Sequence, residues 1–289
     1  MESIIKLENV SFVYSKKTPF EHKALDNISC EFEKGKITGI IGQTGSGKST
    51  LAQMFNGLVK PTSGKVYVDG IDIWDKPKLI KNTRFKVGLV FQYPEYQLFD
   101  DTVAKDVAYG PRNLGLDEEK IKQRVIDSLR IVGLDESVLD ISPFDLSGGQ
   151  KRRVAIAGIM AMKPEILVLD EPASGLDPSG RDSIFEQILK YKEETDSTII
   201  IISHSMEDVA KYCDNLIVLY KSKIHMSGTV KEVFSNGEEL LKIGLNVPQS
   251  TRILIELKQM GYPVNITSFK PEDAADEISK LLDGRCERG

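Results

Sequence analysis

One short stretch constrains this chain more than any other, the glycine-rich segment of residues 42–49. It reads Gly-Gln-Thr-Gly-Ser-Gly-Lys-Ser and matches the pattern G-x-x-x-x-G-K-[S/T] at every fixed position. An apolar run, residues 37–41, comes directly before it, so the segment lies where a buried strand would turn into a helix. Glycines let the backbone of such a turn curl until its N–H groups point inward and form a nest for an anion.

The side chains of this segment supply what a bound triphosphate needs. Lys48 is a fixed positive charge for the β- and γ-phosphates, and the Ser49 hydroxyl is placed to bind Mg²⁺. The helix that begins here adds its positive dipole end and its free N–H groups. The segment therefore predicts a nucleotide triphosphate site. Its candidate residues are Gly42, Gln43, Thr44, Gly45, Ser46, Gly47, Lys48, Ser49 and Thr50.

Composition is that of a globular protein and disfavours some partners. With 289 residues, 40% hydrophobic and 28% charged, the chain can form one large domain, or a large and a small one. The net charge of −5 disfavours general nucleic-acid binding, which needs a clustered positive face. Residues 1–3 lack the basic start of a secretion signal, and apolar runs such as 198–202 are too short to span a bilayer. If the chain serves a membrane process, we expect it to dock to another chain.

The cysteines give no sign of a metal site or a disulfide framework. Cys30, Cys213 and Cys286 are an odd number and lie far apart, and no pair has the spacing of metal ligands. We expect buried or free thiols in a reducing compartment.

Patterns around the glycine-rich segment predict strands and one candidate for base stacking. Residues 3–14 alternate and carry β-formers, which predicts an edge strand, and residues 25–34 predict a second strand. Two further runs on either side of Asp69-Gly70 predict a hairpin with a two-residue turn. An aromatic residue just ahead of a phosphate-binding loop can stack on an adenine, so Tyr14 is a candidate. An ordinary aromatic residue at a strand end is the alternative.

Residues 102–160 change character and predict a helical insert between strands. Apolar residues recur at helical spacing from Leu116 to Gly133, with Asp117 as the helix cap. The insert ends in Leu-Ser-Gly-Gly-Gln at residues 146–150, followed by a helix that is first basic and then apolar. A flexible Ser-Gly-Gly at a helix start has the form of a second anion site. Its candidate residues are Ser147, Gly148, Gly149 and Gln150.

An acidic pair follows another predicted strand. Residues 166–169 form a continuous apolar run, which suits a strand buried on both faces of a parallel sheet. Asp170-Glu171 comes at its carboxyl end, where ligands bind in open α/β sheets. There Asp170 would reach the Mg²⁺ shell, and Glu171 would orient and deprotonate an attacking water. Two ordinary surface acids are the alternative.

Two more polar residues end predicted strands. His204 follows the run at 198–203, a strand expected beside the Asp170-Glu171 strand, so it would face the same phosphates. Gln92 follows residues 87–91 and lies next to a loop that contains proline. Taken alone, the histidine reads as a bystander and the glutamine as a polar linker residue.

A boundary is predicted at Asn236-Gly237. Beyond it the apolar residues recur at helical spacing. This tail of about fifty residues has too little core to fold alone. Either it packs on the main domain or it meets a partner.

Five of these parts together resemble the ATP-binding cassette (ABC) ATPases over residues 1–235. They are the glycine-rich loop, Gln92, Leu-Ser-Gly-Gly-Gln, Asp170-Glu171 and His204, in that order. The resemblance implies an α/β P-loop fold with a mixed, largely parallel core sheet, an antiparallel β subdomain, a helical insert at about 102–160 and a small C-terminal helical extension. It also implies ATP and Mg²⁺ as ligands, and hydrolysis of ATP.

In that family two cassettes dimerise head to tail around two ATP molecules. By resemblance, Ser147 and the Gly149 amide would contact a γ-phosphate held by the opposing chain, and Asp177 would lie at the dimer seam. Gln92 would sense the γ-phosphate and Mg²⁺, and His204 would hold the γ-phosphate or the water. Implied catalytic residues are Glu171, His204 and Gln92, and implied metal ligands are Ser49, Gln92 and Asp170.

A closer resemblance, to the ATPases of energy-coupling-factor transporters, covers nearly the whole chain. The similar stretches are residues 18–21, 90–99, 109–116 and 152–158. Such transporters import vitamins or cobalt and nickel ions, and two related ATPases dock on a transmembrane coupling (T) protein that carries a substrate-binding membrane (S) protein. The form Gln-Tyr-Pro-Glu at 92–95 is similar to the second of the two paralogues. The resemblance implies a peripheral position on the cytoplasmic face of the membrane and a dimerising role for residues 236–289.

The loop after Gln92 offers a docking site for such a membrane partner. Glu95, Asp100 and Asp101 form an acidic cluster, which arginine-bearing coupling helices would complement. Ordinary solvated acids are the alternative.

Three other functions compete with an energy-coupling-factor ATPase. An ordinary importer ATPase would form a symmetric homodimer. Soluble cassette proteins of DNA repair or translation usually carry two cassettes or long coiled-coil inserts, and this chain has neither. A nucleotide-bound scaffold that does not hydrolyse ATP would not need Glu171 and His204.

Overall fold

Strands in two sheets organise the part of the chain that the structure describes. The computed structural model covers residues 2–286, with side chains described for residues 2–282. The strands are β1 (Ser3–Tyr14), β2 (His22–Glu33), β3 (Ile37–Gly42), β4 (Ser63–Val68), β5 (Ile71–Asp72), β6 (Val87–Val90), β7 (Ile166–Asp170), β8 (Thr198–Ile202), β9 (Asn215–Tyr220) and β10 (Lys223–Thr229). The helices are α1 (Lys48–Phe55), α2 (Pro77–Lys86), α3 (Val103–Asn113), α4 (Glu118–Ile131), α5 (Gly148–Met160), α6 (Pro178–Thr195), α7 (Met206–Tyr212), α8 (Val230–Ser235), α9 (Gly237–Lys242), α10 (Gln249–Gln259) and α11 (Pro271–Cys286).

The larger sheet is mixed, and its order is β10-β9-β3-β8-β7-β6. The strands from β9 to β6 run parallel, and β10 returns antiparallel to β9. Every residue of β3, β7 and β8 is buried, as expected for strands covered on both faces. The carboxyl ends of β3, β6, β7 and β8 therefore meet at one edge of the sheet. The prediction that the strand ending at Asp170 lies beside the strand before His204 is confirmed, because β7 pairs with β8.

The smaller sheet is antiparallel and has the order β2-β1-β4-β5. The prediction of an edge strand at residues 3–14 is wrong, because β1 pairs with β2 on one side and with β4 on the other. Alternating hydrophobicity shows that one face of a strand is buried, and it carries no information on how many neighbours the strand has. The predicted hairpin is confirmed: Asp69 and Gly70, with φ of 53° and 71°, join β4 to β5.

The insert at residues 102–160 contains three α-helices, α3, α4 and α5, joined by turns and short 3₁₀ segments. Helix α4 confirms the predicted helix, and its cap Asp117 accepts a hydrogen bond from the Lys120 N–H at 2.9 Å. Helix α3 was not predicted individually. The three insert helices share an apolar cluster with strands β7 and β8, so the insert packs on one face of the large sheet. Members of this cluster include Val107, Val125, Leu129, Val154, Leu167 and Ile199.

The two cysteines with described side chains are free thiols, Cys30 and Cys213. Burial raises the pKa of Cys30 to about 12 and also raises the pKa of Cys213. Both thiols therefore stay protonated and unreactive. The Cys286 side chain lies outside the described side chains.

The tail beyond residue 236 packs on the main domain. One apolar cluster contains residues from both sides of the predicted boundary. The main domain contributes Ile41, Val218 and Phe234, and the tail contributes Leu240, Leu245, Val247 and Ile255. The core is therefore continuous across Asn236-Gly237.

Replacing Leu240 by alanine tests this shared core. The Leu240 side chain is fully buried, and we expect the free energy of unfolding to fall by about 2–5 kcal/mol. Urea denaturation followed by circular dichroism measures the change. The matched control is Leu282→Ala, because Leu282 is 55% exposed and its loss is expected to cost less than about 0.5 kcal/mol. Equal effects of the two substitutions would contradict the shared core.

Candidate functional site

Residues 42–49 form the loop that joins β3 to helix α1. Gly47 has a φ of 104°, and a Cβ there would lie 2.4 Å from the Ala24 carbonyl oxygen, so only glycine fits. Gly47 is also the N-cap of α1, and it has no side chain that could accept hydrogen bonds from the first helix amides. The first amides of the helix are thus available to an anion.

Lys48 lies across this loop and is almost fully buried. Its Nζ donates hydrogen bonds to the carbonyl oxygens of Gly42 at 2.7 Å and Gln43 at 3.0 Å. Burial lowers the pKa of the Lys48 ammonium, and the nearby Glu171 and Asp170 carboxylates oppose that shift. The loop therefore holds a partly desolvated cation, whose attraction for a phosphate is stronger than in water.

A cavity of about 300 Å³ joins the loop to the strand ends, a volume in the range of ligand pockets. It brings together the predicted loop, Gln92, the acidic pair and His204, and also Tyr14. The residues that line it are Tyr14, His22, Ala24, Thr44, Gly45, Gly47, Lys48, Ser49, Thr50, Gln92, Asp170, Glu171 and His204. His22 had no local signal in the sequence, because β2 reaches the cavity only through its position in the smaller sheet.

The acidic pair lies at the carboxyl end of β7, on the cavity wall. Burial raises the pKa of Asp170, while a hydrogen bond from Ser49 and the Lys48 charge lower it. Burial raises the pKa of Glu171 to about 7, and the neighbouring Asp170 charge adds to the rise while a hydrogen bond from the His204 backbone opposes it. Glu171 has a φ of 53°, an uncommon value for a residue other than glycine and one that occurs at functional sites.

Glu171 and His204 face each other across neighbouring strand ends. Glu171 Oε1 is 3.2 Å from His204 Nε2, but the contact lacks hydrogen-bond geometry, and this buried oxygen has no hydrogen-bond partner in the described part of the chain. Burial, followed by the Lys48 charge, lowers the pKa of His204. A neutral imidazole thus lies beside a carboxyl group that holds an unused acceptor, an arrangement suited to proton transfer.

We expect the rate of any reaction that uses Glu171 as a base to depend on pH. Below about pH 7 the carboxyl group is protonated and cannot accept a proton, so the rate should rise as pH increases through that value and then level off. Single-turnover rates of ATP hydrolysis at saturating ATP, from about pH 6 to about pH 8.5, measure this. A flat profile over that range would contradict the role of Glu171 as base.

Tyr14 lies at the mouth of the cavity and is 40% exposed. Its hydroxyl is 3.1 Å from Thr50 Oγ1, and its ring meets Phe12 edge to face. Adenine stacking on Tyr14 stays a prediction.

The Gln43 side chain does not line the cavity. Its Nε2 donates to the carbonyl oxygens of Ile243 at 2.9 Å and Gly244 at 3.4 Å. The phosphate-binding loop is thus hydrogen-bonded to the tail, a contact that sequence reasoning missed because 200 residues separate the partners.

The residues of Leu-Ser-Gly-Gly-Gln lie outside the cavity. Ser147 caps α5 in a reciprocal box: its Oγ accepts from the Gln150 N–H at 3.3 Å, and Gln150 Oε1 accepts from the Ser147 N–H at 3.0 Å. Cβ atoms built on Gly148 and Gly149 would meet no described heavy atom within 4 Å. This helix start is therefore open to a ligand or partner from outside. A separate groove contains both Gly149 and Asp177.

Comparison with known proteins identifies the family. A family model described as ABC transporter matches residues 25–174. The chain belongs to the ABC transporter family. It is 51% identical, over 97% of its length and 98% of the relative's, to the energy-coupling factor transporter ATP-binding protein EcfA2 of Caldanaerobacter subterraneus subsp. tengcongensis. It is 53% identical to the EcfA2 of Clostridium perfringens, over 96% of this chain and 98% of the relative.

Solved structures of ABC proteins share the fold. The chain matches cbiO1 of Clostridium perfringens, a part of the ABC transporter complex cbiONQ, with a TM-score of 0.74 and 38% identity over 90% of this chain and 98% of the other. It matches the ATP-binding cassette MJ0796, in a dimeric post-hydrolysis state bound to ADP and Pi, with a TM-score of 0.69 and 31% identity over 78% and 98% of the two chains. The predicted fold class, an α/β P-loop ABC ATPase, is confirmed.

Proposed function

We propose that this chain is the ATP-hydrolysing subunit of an energy-coupling-factor transporter that imports vitamins or transition-metal ions. The observation that carries the proposal is the cavity in which Lys48, Glu171 and His204 converge while the Ser147 helix start stays outside. Such a site binds ATP alone but needs a second chain to enclose it. The similarity to EcfA2 proteins over nearly the whole chain supports this type of transporter over an ordinary importer ATPase.

The cavity residues divide the chemistry between binding and proton transfer. The loop amides and Lys48 bind the phosphates, and Tyr14 stacks on the adenine. Glu171 orients the attacking water and accepts its proton, for which its raised pKa and unpaired oxygen are suited. His204 holds the γ-phosphate or the water, and Gln92 reports the state of the γ-phosphate to the helical insert.

The residues beside the phosphates fit Mg²⁺. Ser49, Gln92 and Asp170 offer a hydroxyl, an amide and a carboxylate oxygen, the hard ligands that Mg²⁺ prefers. In the described part of the chain no group of three or more His, Cys, Asp or Glu residues could hold a metal by itself, and a bound Mg²⁺ would take further ligands from the ATP phosphates. The ion would neutralise charge on those phosphates.

A second ABC ATPase completes each ATP site. The open Ser147–Gly149 helix start contacts the γ-phosphate held by the partner, and Asp177 lies nearby at the seam. We propose a related paralogue as this partner, with a homodimer as the alternative. Binding of ATP closes the dimer, and hydrolysis opens it by removing the γ-phosphate that bridges the two chains.

Residues 236–289 extend the ATPase domain of residues 1–235 and serve ATPase–ATPase contact. Apolar residues of the tail pack into the core shared with the main domain, so the tail has one side packed on that domain and one side exposed. Apolar side chains that stay exposed there are Ile253, Met260 and Leu282, with exposed fractions of 49%, 73% and 55%. Apolar surface of this kind is available to a second chain.

The docking surface for the membrane partner lies beside Gln92 and differs from the predicted acidic cluster. Only 20% of the Glu95 side chain is exposed, and it faces Arg152, so the accessible acids are Asp100 and Asp101. Exposed aromatic residues lie in the same loop and on α3: Tyr96, Phe99 and Tyr109 are 85%, 59% and 54% exposed, and the rings of Phe99 and Tyr109 meet edge to face. An aromatic surface with an acidic centre suits an amphipathic helix that carries arginine.

Replacing Asp100 and Asp101 by lysine tests this surface. We expect substrate uptake to fall at least about tenfold while ATP binding is unchanged, because like charges would then face the partner's arginines. Uptake into cells or proteoliposomes and ATP binding by the purified chain are measured. The control is Glu193→Lys with Glu194→Lys, two exposed acids on α6. Unchanged uptake in the Asp100/Asp101 variant would defeat the docking surface.

The transporter context places the chain on the cytoplasmic face of the cell membrane as a peripheral subunit. Within residues 2–286, no helix combines the length and the hydrophobicity required to cross a membrane. Attachment therefore depends on the transmembrane coupling (T) protein, and through it indirectly on the substrate-binding (S) protein. No nucleic-acid partner is proposed.

Isolation from native membranes in mild detergent tests the proposal. We expect the full chain to co-purify with a second, related ATPase and a polytopic membrane subunit, and the complex to hydrolyse ATP. Co-purification with two identical copies of this chain and a substrate-translocating channel would favour the ordinary importer. A preparation without any membrane protein would favour a soluble cassette protein.

A further inference from the structure

Arg152 occupies an unusual position, a buried charge between three functional elements. It lies on α5, five residues after Ser147, and its side chain is 4% exposed. Its Nη1 donates a hydrogen bond of 2.6 Å to the Ser174 carbonyl oxygen. The Ser174 N–H in turn donates to the Glu171 carbonyl oxygen at 3.1 Å. One guanidinium thus connects the helix start to the turn that holds Glu171.

The other side of Arg152 faces the loop that follows Gln92. Glu95 lies in the short 3₁₀ turn Pro94–Gln97, and its Oε2 is 3.9 Å from Arg152 Nε. Glu95 Oε2 and the Nε and Nη2 atoms of Arg152 are buried, and no described residue forms a hydrogen bond with them. Burying an arginine and a carboxylate with unsatisfied polar atoms costs free energy. That cost points to a role for the pair beyond filling space.

We propose that Arg152 is a positioning residue that links the two ATP sites of the dimer. In the proposed dimer the Ser147 end of α5 contacts the partner's ATP, whereas the Ser174 turn holds Glu171 and the Glu95 loop follows Gln92, and both Glu171 and Gln92 line this chain's own cavity. A helix is stiff along its axis, so a shift at Ser147 reaches Arg152, about 7 Å away, almost undiminished. The inference rests on the proposed two-chain ATP site.

The arrangement explains how one chain couples its contact with the partner's ATP to the hydrolysis of its own ATP. When α5 moves, the Arg152 guanidinium moves relative to both the Ser174 carbonyl and the Glu95 carboxylate. The positions of Glu171 and Gln92 therefore change together. Misplacement of a catalytic group by about 1 Å is enough to lower a rate about 100-fold, so a small shift of α5 suffices.

The test uses the complete transporter complex and the variants Arg152→Met, Glu95→Gln and the double variant Glu95→Gln/Arg152→Met. Each single variant leaves one charge buried without its partner, so both thermal stability and kcat of ATP hydrolysis should fall. The double variant removes both charges, so its thermal midpoint should recover. Its kcat should stay about 10- to 100-fold below wild type, because the donor to Ser174 is still missing. The KM for ATP should stay within about twofold, since cavity contacts are unchanged.

The control is Arg130→Met, which removes an arginine from α4 that is 66% exposed. Its kcat and thermal midpoint should equal those of wild type. Recovery of kcat together with stability in the double variant would show that Arg152 is only structural and would overturn the inference. If Arg152→Met does not fold, an undiminished kcat in Glu95→Gln alone also overturns it. A wild-type complex that does not hydrolyse ATP would overturn the proposed function. A wild-type complex that hydrolyses ATP, with variants that behave otherwise than expected, would overturn only the role of Arg152.

Discussion

Replacing Glu171 by glutamine is expected to lower the rate of ATP hydrolysis by about 10²- to 10⁴-fold, the usual contribution of a general base. The glutamine amide keeps the size of the side chain but cannot accept the proton of the attacking water. Removal of a buried carboxylate beside the phosphates also eases the repulsion of ATP. The variant should therefore bind ATP at least as tightly as wild type and hold the dimer closed.

The measurement combines phosphate release with the retention of labelled ATP on the complex, followed by size-exclusion chromatography. Glu165→Gln is the matched control, since Glu165 is an exposed acid that directly precedes the amino end of β7, at the opposite edge of the sheet from Glu171. It should hydrolyse ATP at the wild-type rate. Hydrolysis at the wild-type rate in Glu171→Gln would rule out Glu171 as the base.

Replacing Lys48 by methionine is expected to weaken ATP binding about 10- to 100-fold, because hydrogen bonds to a charged group contribute about 1.5–3 kcal/mol. Methionine has a similar length and fills the same buried space. Burial of the Lys48 ammonium is unfavourable, but the variant also loses the hydrogen bonds to the Gly42 and Gln43 carbonyl oxygens, so the two effects on the folded chain oppose each other. Loss of binding together with a thermal midpoint close to that of wild type is the expected pattern.

Isothermal titration with MgATP and thermal denaturation measure the two quantities. Lys36→Met is the control, because Lys36 lies next to the amino end of β3 and its side chain is 49% exposed. That variant should bind ATP normally. An unchanged ATP affinity in Lys48→Met would contradict the role of the loop, and a large loss of stability would show that Lys48 acts through the fold.

Local sequence was sufficient to predict the phosphate-binding loop and its neighbours. The loop pattern is a continuous segment, and the positive φ of Gly47 favours glycine through local backbone geometry. Asp170 and His204 could be placed on one wall because the carboxyl ends of parallel strands meet at one edge, a rule that depends on fold class alone. The shared cavity of Lys48, Asp170 and His204 agrees with both arguments.

Contacts between distant segments could not be predicted in the same way. The strand β1 was placed at an edge because periodicity shows faces and carries no pairing information. Glu95 was taken as a surface acid, and the structure turns it toward Arg152, more than fifty residues away. Gln43 was assigned to the nucleotide, and its side chain bonds to the tail. Each of these depends on which segments pack together.

The sequence by itself was enough to identify the family and to predict the nucleotide site and its two halves, because these depend on short motifs whose chemistry is local. Only the tertiary structure shows that Ser147 lies outside the cavity lined by the loop residues of the same chain, an arrangement that fits the proposed two-chain site. It also decided the pKa of Glu171, since burial by residues from several strands sets the free energy of its charge. The free energies of desolvation and packing depend on contacts from distant parts of the chain, so a short motif cannot predict them.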